Sequence, residues 1–327
     1  MRADIRKIAV LGAGAWGTAL ANAAARPGRD IVLWARDPAH VAEIAKTREN
    51  KRRLPGVKLA DSVAPQAELA TIADADIVLC VVPAQALRSM AEQLKGIIRA
   101  DAPLVICAKG IERGTNLLLT DVVAQVLPGQ STAILSGPSF ADDVARGLPT
   151  AVTVAAKDEE LARALASALG TPTLRLYHST DVIGVEIGGA TKNVLAIGCG
   201  IAAGRGLGAS AGAALIARGF AELSRFAASR GARPETLMGL SGLGDLVLTC
   251  SSTQSRNFSY GFALGRGDAL PEKLAEGAAT APVLLDMARE AHVDMPIARA
   301  VAEILSGRLT VDEAIGILLA RPQKAEG

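Results

Sequence analysis

The sequence predicts an α/β protein in two parts: a doubly wound, mostly parallel sheet over residues 1–181 and an all-α half over residues 182–327. Three observations predict it. Short apolar runs alternate with helix-forming segments through the first half. A glycine-rich turn joins the first of those runs to the first helix. After Tyr177 the strand signal stops, and long apolar segments rich in small residues take over.

A chain of 327 residues exceeds the roughly 250–300 at which a single core stops growing, so two domains are expected. Half the residues are apolar (50%) and 21% are charged, enough to build a large core. A net charge of only +2, with no basic block flanked by aromatics, gives no support for nucleic-acid binding. The basic stretch at 48–53 reads as a solvated surface loop. Cys80, Cys107, Cys199 and Cys250 have no metal-ligand spacing, and Cys80 and Cys107 fall in apolar runs as small hydrophobes, so neither a metal nor disulfides are indicated. With no signal-peptide core at the start, the expected location is the cytoplasm.

Residues 5–11 form the first strand, and Gly12-Ala13-Gly14-Ala15-Trp16-Gly17 leads into a helix over 18–25. Strand, glycine turn and helix in this order are the dinucleotide fingerprint of a Rossmann-type domain. Gly12 permits the tight turn, Gly14 lets a pyrophosphate approach the backbone, and Gly17 lets helix and strand pack closely. The next strand, 31–35, ends in Arg36-Asp37. An arginine there suits the extra phosphate of NADP, and an acid suits the ribose hydroxyls of NAD. Arg36 stands first, which favours NADPH; Asp37 keeps NAD open, or with Pro38 simply begins the next helix.

Alternation continues with strands at 76–82, 104–108, 132–135, 151–155 and 173–177, and helices at 83–94, 116–126 and 158–169. Ligands in such sheets sit beyond the strand C-termini, which singles out Lys109, Gly110 and the turn Ser136-Gly137-Pro138-Ser139. Lys109 is either a solvated strand-end lysine or a cation at the ligand edge. Ser139 either belongs to a plain turn or opens a helix at Phe140 and offers its hydroxyl there.

Helices are expected at 182–204, 209–230, 284–291, 297–305 and 311–319. The first is long enough to cross a membrane, but Glu186, Lys192 and Asn193 lie where hydrocarbon tolerates them least, so it reads as a buried core helix. A lysine there is costly unless paired, which leaves a structural ion pair or a functional ammonium. Asp245, in Ser-Gly-Leu-Gly-Asp-Leu, is a helix cap or an orienting carboxylate; Thr249 follows it. Arg256, between Ser255 and Asn257, is an exposed cation or a phosphate clamp.

Taken together, these motifs resemble the bacterial NAD(P)-dependent glycerol-3-phosphate dehydrogenase family over nearly the full length. They are Gly-Ala-Gly-Ala-Trp-Gly-Thr-Ala-Leu-Ala (12–21), Leu-Pro-Gly (54–56), Val-Pro-Ala-Gln-Ala-Leu-Arg (82–88), Ala-Lys-Gly-Ile-Glu (108–112) and Ser-Gly-Pro-Ser-Phe-Ala (136–141). Ala-Thr-Lys-Asn-Val (190–194), Gly-Leu-Gly-Asp-Leu (242–246), Ser-Arg-Asn (255–257) and Ala-Glu-Gly (275–277) complete them. The resemblance implies reduction of dihydroxyacetone phosphate to sn-glycerol 3-phosphate with NAD(P)H, for phospholipid synthesis, by a homodimer. It implies Lys192 as proton donor and acceptor, with Lys109 and Asp245 beside it in catalysis. Gly137, Ser139, Thr249, Ser255, Arg256 and Asn257 would join these three around the substrate. Ala15, Trp16, Arg36, Lys109, Ala141, Arg256, Leu274 and Glu276 would touch the cofactor together with Gly12, Gly14 and Gly17. The segment between Asn257 and Glu276 is about six residues shorter than the family pattern, and Leu274 stands where a valine is usual. A ketopantoate reductase-like or hydroxyacid dehydrogenase of the same architecture would keep the cofactor but take a carboxylate substrate; a dinucleotide sensor without turnover would give no reason for Lys109, Lys192, Asp245 and Arg256 together.

Overall fold

A computed structural model describes residues 5–25, 28–272 and 275–322. The strands are β1 (Lys7–Leu11), β2 (Asp30–Trp34), β3 (Val63–Gln66), β4 (Ile77–Cys80), β5 (Leu104–Ile106), β6 (Thr132–Ser136), β7 (Thr150–Ala155) and β8 (Leu174–Ser179). They form one sheet in the order β3-β2-β1-β4-β5-β6-β7-β8. The first six run parallel; β7 pairs antiparallel with β6 and parallel with β8. Helices α1 (Ala15–Ala25), α2 (Pro38–Thr47), α3 (Leu87–Leu94), α4 (Leu119–Val126), α5 (Ala141–Ala145) and α6 (Glu159–Leu169) connect them.

Strands covered on both faces read as unbroken apolar runs, which is why they were legible. Alternate residues of β1 feed different cores. Ile8 and Val10 pack with α1 and α6, whereas Ala9 and Leu11 pack with α3 and α4.

The second half holds α7 (Val182–Gly204), α8 (Gly208–Ser229), α9 (Pro234–Met238), α10 (Asp245–Cys250), α11 (Arg256–Arg266), α12 (Glu276–Glu290), α13 (Pro296–Leu305) and α14 (Val311–Leu319). Asp181 caps α7 by accepting from the Gly184 N–H at 2.9 Å. Within α7 the most apolar stretch is 94% buried inside the fold, so it is the central helix of the second half rather than a membrane span. Its far turns meet α11 backbone to backbone: a Cβ on Gly200 would lie 2.1 Å from the Phe258 carbonyl oxygen, and one on Gly261 would lie 2.0 Å from that of Ile197.

Several expectations need correcting. The helix expected at 116–126 begins only at Leu119, because Asn116 is left-handed (φ 57°) and Ile111 pairs with Leu118 in an isolated bridge. The segment 83–94 is a 3₁₀ turn, Ala84–Ala86, followed by α3. β3 escaped notice because Pro65 interrupts it, which an edge strand tolerates. Pro282 hid the first two turns of α12 in the same way. The loop at 48–53 is more than solvated surface. The Arg48 guanidinium donates to the carbonyls of Ala60 (2.5 Å) and Val63 (2.8 Å), and Arg52 pairs with Glu43 and Asp37.

Gly261→Ala is expected to cost about 1–3 kcal/mol, because two helix backbones must separate. Urea denaturation checks it, and an unchanged midpoint would mean that α7 and α11 do not touch so closely.

Candidate active site

At the end of β1 the chain turns through Gly12 at φ 115°, where a Cβ would lie 2.8 Å from the Val81 carbonyl oxygen. A Cβ on Gly17 would meet the Gly12 oxygen at 1.9 Å, so helix and turn are in contact. Gly14 differs: it is exposed, and a Cβ there would meet nothing within 4 Å. Packing therefore does not require glycine at 14, but a pyrophosphate lying on the backbone would, and the first-turn N–H groups of α1 stand beside it. These residues fit a dinucleotide.

Ala15 and Trp16, half-buried in that first turn, and Ala141, the first residue of α5, pack on the edge of the same core. Arg36 is exposed just past β2 and has no ion pair among the described residues, whereas Asp37 caps α2 by accepting from the Ala39 N–H at 3.0 Å. Asn50, which the sequence reading missed, ties this end together. Completely buried, it donates to the Ala13 carbonyl at 3.0 Å and the Thr18 hydroxyl at 2.8 Å, and accepts from His40 Nε2 at 2.9 Å. Its only signal was a short polar side chain beside a basic run.

Beyond β5, Lys109 donates to the Gly137 carbonyl at 3.0 Å and to Asp245 Oδ2 at 2.6 Å. Lys192, from the middle of α7, donates to the other carboxylate oxygen of Asp245 and to the Thr249 hydroxyl at 2.7 Å. Asp245 is therefore no cap. It opens α10 from the end of a π-turn, Leu240–Gly244, and is 1% exposed between two ammonium groups. Burial pushes its carboxyl up, but Lys109 and Lys192 outweigh burial and hold it below the ordinary value. Burial also lowers the Lys192 ammonium to about 8, with Asp245 opposing and Lys109 reinforcing that fall. Both readings of Lys192 meet here: it is ion-paired, yet two cations share one carboxylate and one positive charge is left over.

Ser139 does not open a helix. Phe140 is the N-cap of α5, and the Ser139 hydroxyl donates to the Gly137 carbonyl at 3.1 Å, the acceptor that Lys109 also uses. Gly137 itself sits at φ 145° against Val152. Ser255 caps α11, accepting from the Phe258 N–H at 3.2 Å, so Arg256 and Asn257 fall in that helix's first turn. The buried Asn257 amide donates to Asn193 Oδ1 at 2.9 Å and accepts from the Gly277 N–H at 2.9 Å, which leaves one amide proton. Asn193, next to Lys192, donates to the Lys109 carbonyl at 3.3 Å, so one amide chain joins both lysines' backbones to α11 and α12.

Arg256 is exposed and unpaired among the described residues. Glu276 accepts from the Ala84 N–H at 3.4 Å, just past β4; burial raises its pKa, and the charges of Arg256, Lys109 and Lys192 oppose that. A Cβ on Gly12 would lie 2.8 Å from the Val81 carbonyl oxygen, and one on Gly110, next to Lys109, 2.8 Å from the Ala84 side chain. The segment past β4 therefore lies between the Gly12 turn and the end of β5 that carries Lys109. Leu274 lies outside the described residues. Among the described residues no group of three or more His, Cys, Asp or Glu side chains could hold a metal.

Residues 7–162 match the family profile described as NAD-dependent glycerol-3-phosphate dehydrogenase N-terminus, and residues 181–316 match its C-terminus. The chain belongs to this family. It is 61% identical over 322 residues to the glycerol-3-phosphate dehydrogenase [NAD(P)+] of Azorhizobium caulinodans and 62% identical over 320 to that of Bradyrhizobium diazoefficiens, covering 98% of each chain in both cases. The crystal structure of glycerol-3-phosphate dehydrogenase from Coxiella burnetii superposes with a TM-score of 0.92 at 38% identity, over 97% of this chain and 99% of that one. A PanE/ApbA family ketopantoate reductase from Ralstonia eutropha shares the fold alone (TM-score 0.60, 17% identity, 94% of this chain and 99% of that one).

Replacing Asp245 with Asn removes the counter-charge of one buried ammonium, Lys192, and one partly buried, Lys109. A loss of about 3–5 kcal/mol is expected, the scale for breaking a buried pair, read as a lower denaturant midpoint. A midpoint equal to wild type would show that the lysines do not depend on this carboxylate.

Proposed function

We propose that this site reduces dihydroxyacetone phosphate to sn-glycerol 3-phosphate with NAD(P)H, supplying the backbone of phospholipids. The observation that carries this reading is the buried Lys109–Asp245–Lys192 cluster, one charge in excess, a short chain of contacts from the dinucleotide turn. The bound nicotinamide dinucleotide supplies the hydride.

Gly12, Gly14, Ala15, Trp16 and Gly17 hold its pyrophosphate on the N-terminus of α1. Arg36 takes the 2′-phosphate of NADPH, while Ala141, Lys109, Arg256 and Glu276 line the nicotinamide side. Asp37 is already engaged at the α2 cap, which supports NADPH over NADH.

Hydride addition to the ketone puts negative charge on its oxygen. Lys192, a desolvated ammonium, donates the proton to that oxygen, and Lys109 adds charge stabilisation. Asp245 and Thr249 fix the Lys192 ammonium by two hydrogen bonds, so little reorganisation accompanies the transfer. The substrate phosphate sits at the N-terminus of α11, which carries first-turn N–H groups, the Ser255 hydroxyl, the Arg256 guanidinium and the remaining Asn257 amide proton. Gly137 and Ser139 close the other side. Binding energy at the phosphate orients the carbonyl carbon.

On this reading the chain divides at 181/182 into a dinucleotide domain and a substrate domain. It works as a soluble, cytoplasmic homodimer; exposed apolar side chains such as Leu207, Met238 and Val247 support self-association. Residue 192 offers the sharpest test. Lys192→Ala should cost about 10²–10⁴-fold in turnover with dinucleotide affinity nearly intact, and near-wild-type turnover would defeat the assignment. Ketone reduction needs the protonated amine, so its kcat/KM should fall as pH rises through about 8, while that for oxidation of glycerol 3-phosphate, needing the neutral amine, should fall below it. A profile flat through that range in both directions contradicts the role. Arg256→Ala should raise KM for dihydroxyacetone phosphate far more than for unphosphorylated dihydroxyacetone; equal losses would remove Arg256 from the phosphate site.

A further inference from the structure

Coenzyme choice turns on what stands past the tip of β2, and two opposed signals stand there. Arg36 offers a cation to a 2′-phosphate, and the next residue, Asp37, offers a carboxylate to ribose hydroxyls. A free carboxylate would also repel a 2′-phosphate dianion, so Asp37 undercuts Arg36 unless something restrains it.

The structure supplies two restraints. Asp37 Oδ1 accepts from the Ala39 N–H at 3.0 Å as the cap of α2, and Oδ2 accepts from Arg52 at 3.3 Å. Arg52 also donates through Nε to Glu43 at 2.8 Å, so its guanidinium spans α2 from the cap to the helix middle. The loop that carries it is well anchored. Asn50 welds it to the dinucleotide turn and α1, and Arg48 fastens it to the carbonyls beside edge strand β3. The backbone of Arg53 and Leu54 folds back onto the Asn50 carbonyl at 3.1 and 2.8 Å. Arg52 is thus delivered to Asp37 from an anchored loop.

We propose that Arg52 is a positioning residue for coenzyme choice: by pairing with Asp37 it cancels the carboxylate and keeps it from the ribose, leaving Arg36 to read the 2′-position. The inference rests on the reading of Arg36 as the 2′-phosphate partner. Both members of the pair are half exposed, at 50% and 53%, so the effect is modest.

Steady-state kinetics with NADPH and NADH test it in Arg52→Ala, Arg52→Lys, Asp37→Asn and the Asp37→Asn/Arg52→Ala double variant. Arg52→Ala is expected to lower the ratio of kcat/KM for NADPH to that for NADH by about 3–10-fold, the scale of one exposed charge pair plus one charge-assisted hydrogen bond. The change should lie in KM, with kcat within about twofold, and Arg52→Lys should restore part of it. Asparagine keeps the helix cap but carries no charge, so in the Asp37→Asn background the same arginine removal should leave the ratio within about twofold. An equal rise in KM for both coenzymes would reduce Arg52 to loop packing. An undiminished shift in the Asp37→Asn background would mean that Arg52 touches the phosphate itself; either result overturns the proposal. Arg36→Ala, measured alongside, tests the underlying reading separately: it should harm NADPH more than NADH, and equal harm would sink that reading whatever the Asp37–Arg52 cycle gives.

Discussion

A single buried carboxylate, that of Asp245, receives the Lys109 ammonium on one oxygen and the Lys192 ammonium on the other. Stripping three charges of water is expensive, and the mutual attraction repays only part of it, since one positive charge has no partner. A fold optimised for stability alone would put apolar side chains there. The surplus is useful only if an anion completes the cluster, and a phosphorylated ketone brings two: its phosphate, and the oxyanion that develops during reduction. On the proposed reading, the surplus charge that costs stability lowers the barrier once the substrate is bound.

Everything around that carboxylate serves to bring its partners in from distant parts of the chain. Lys109 arrives from the far end of β5, Lys192 from the middle of α7, and Asp245 from a π-turn pressed against α7. Glycine makes the approach possible: a Cβ at Gly188 would lie 2.7 Å from the Ser241 carbonyl oxygen, and one at Gly277 would lie 2.4 Å from that of Asn193. The Asn193–Asn257 amide pair then locks α7 to α11 and, through the Gly277 N–H, to the start of α12. The helical half is built around α7, whose buried glycine-rich faces let α11, α12 and the π-turn approach its backbone.

The sheet was legible because parallel strands buried on both faces are uninterrupted apolar runs, and α7 was legible to the residue for the same reason. Proline hid what it interrupts: Pro65 masked β3 and Pro282 masked the start of α12. Glycine and small polar residues hid α11, which Ser255 caps and whose first turn carries Arg256 and Asn257. Lys192 and Asp245 could be singled out as charges out of place, but their meeting could not be read from residues 53 apart in sequence. That required the family resemblance. Asn50 carried no such signal, since a short amide beside a basic run looks like any surface turn until its three partners are seen. The role of Arg52 was invisible for the same reason: its meaning depends on reaching Asp37 across a folded loop.

A crystal structure of the complex with NADP⁺ and glycerol 3-phosphate tests the central claim most directly. The Lys192 ammonium should lie within hydrogen-bond distance of the secondary hydroxyl oxygen while still holding Asp245, with the phosphate at the N-terminus of α11 against Arg256. A ternary complex in which Lys192 stays enclosed by Asp245 and Thr249, out of reach of the substrate, would make the cluster a structural ion pair and contradict the account.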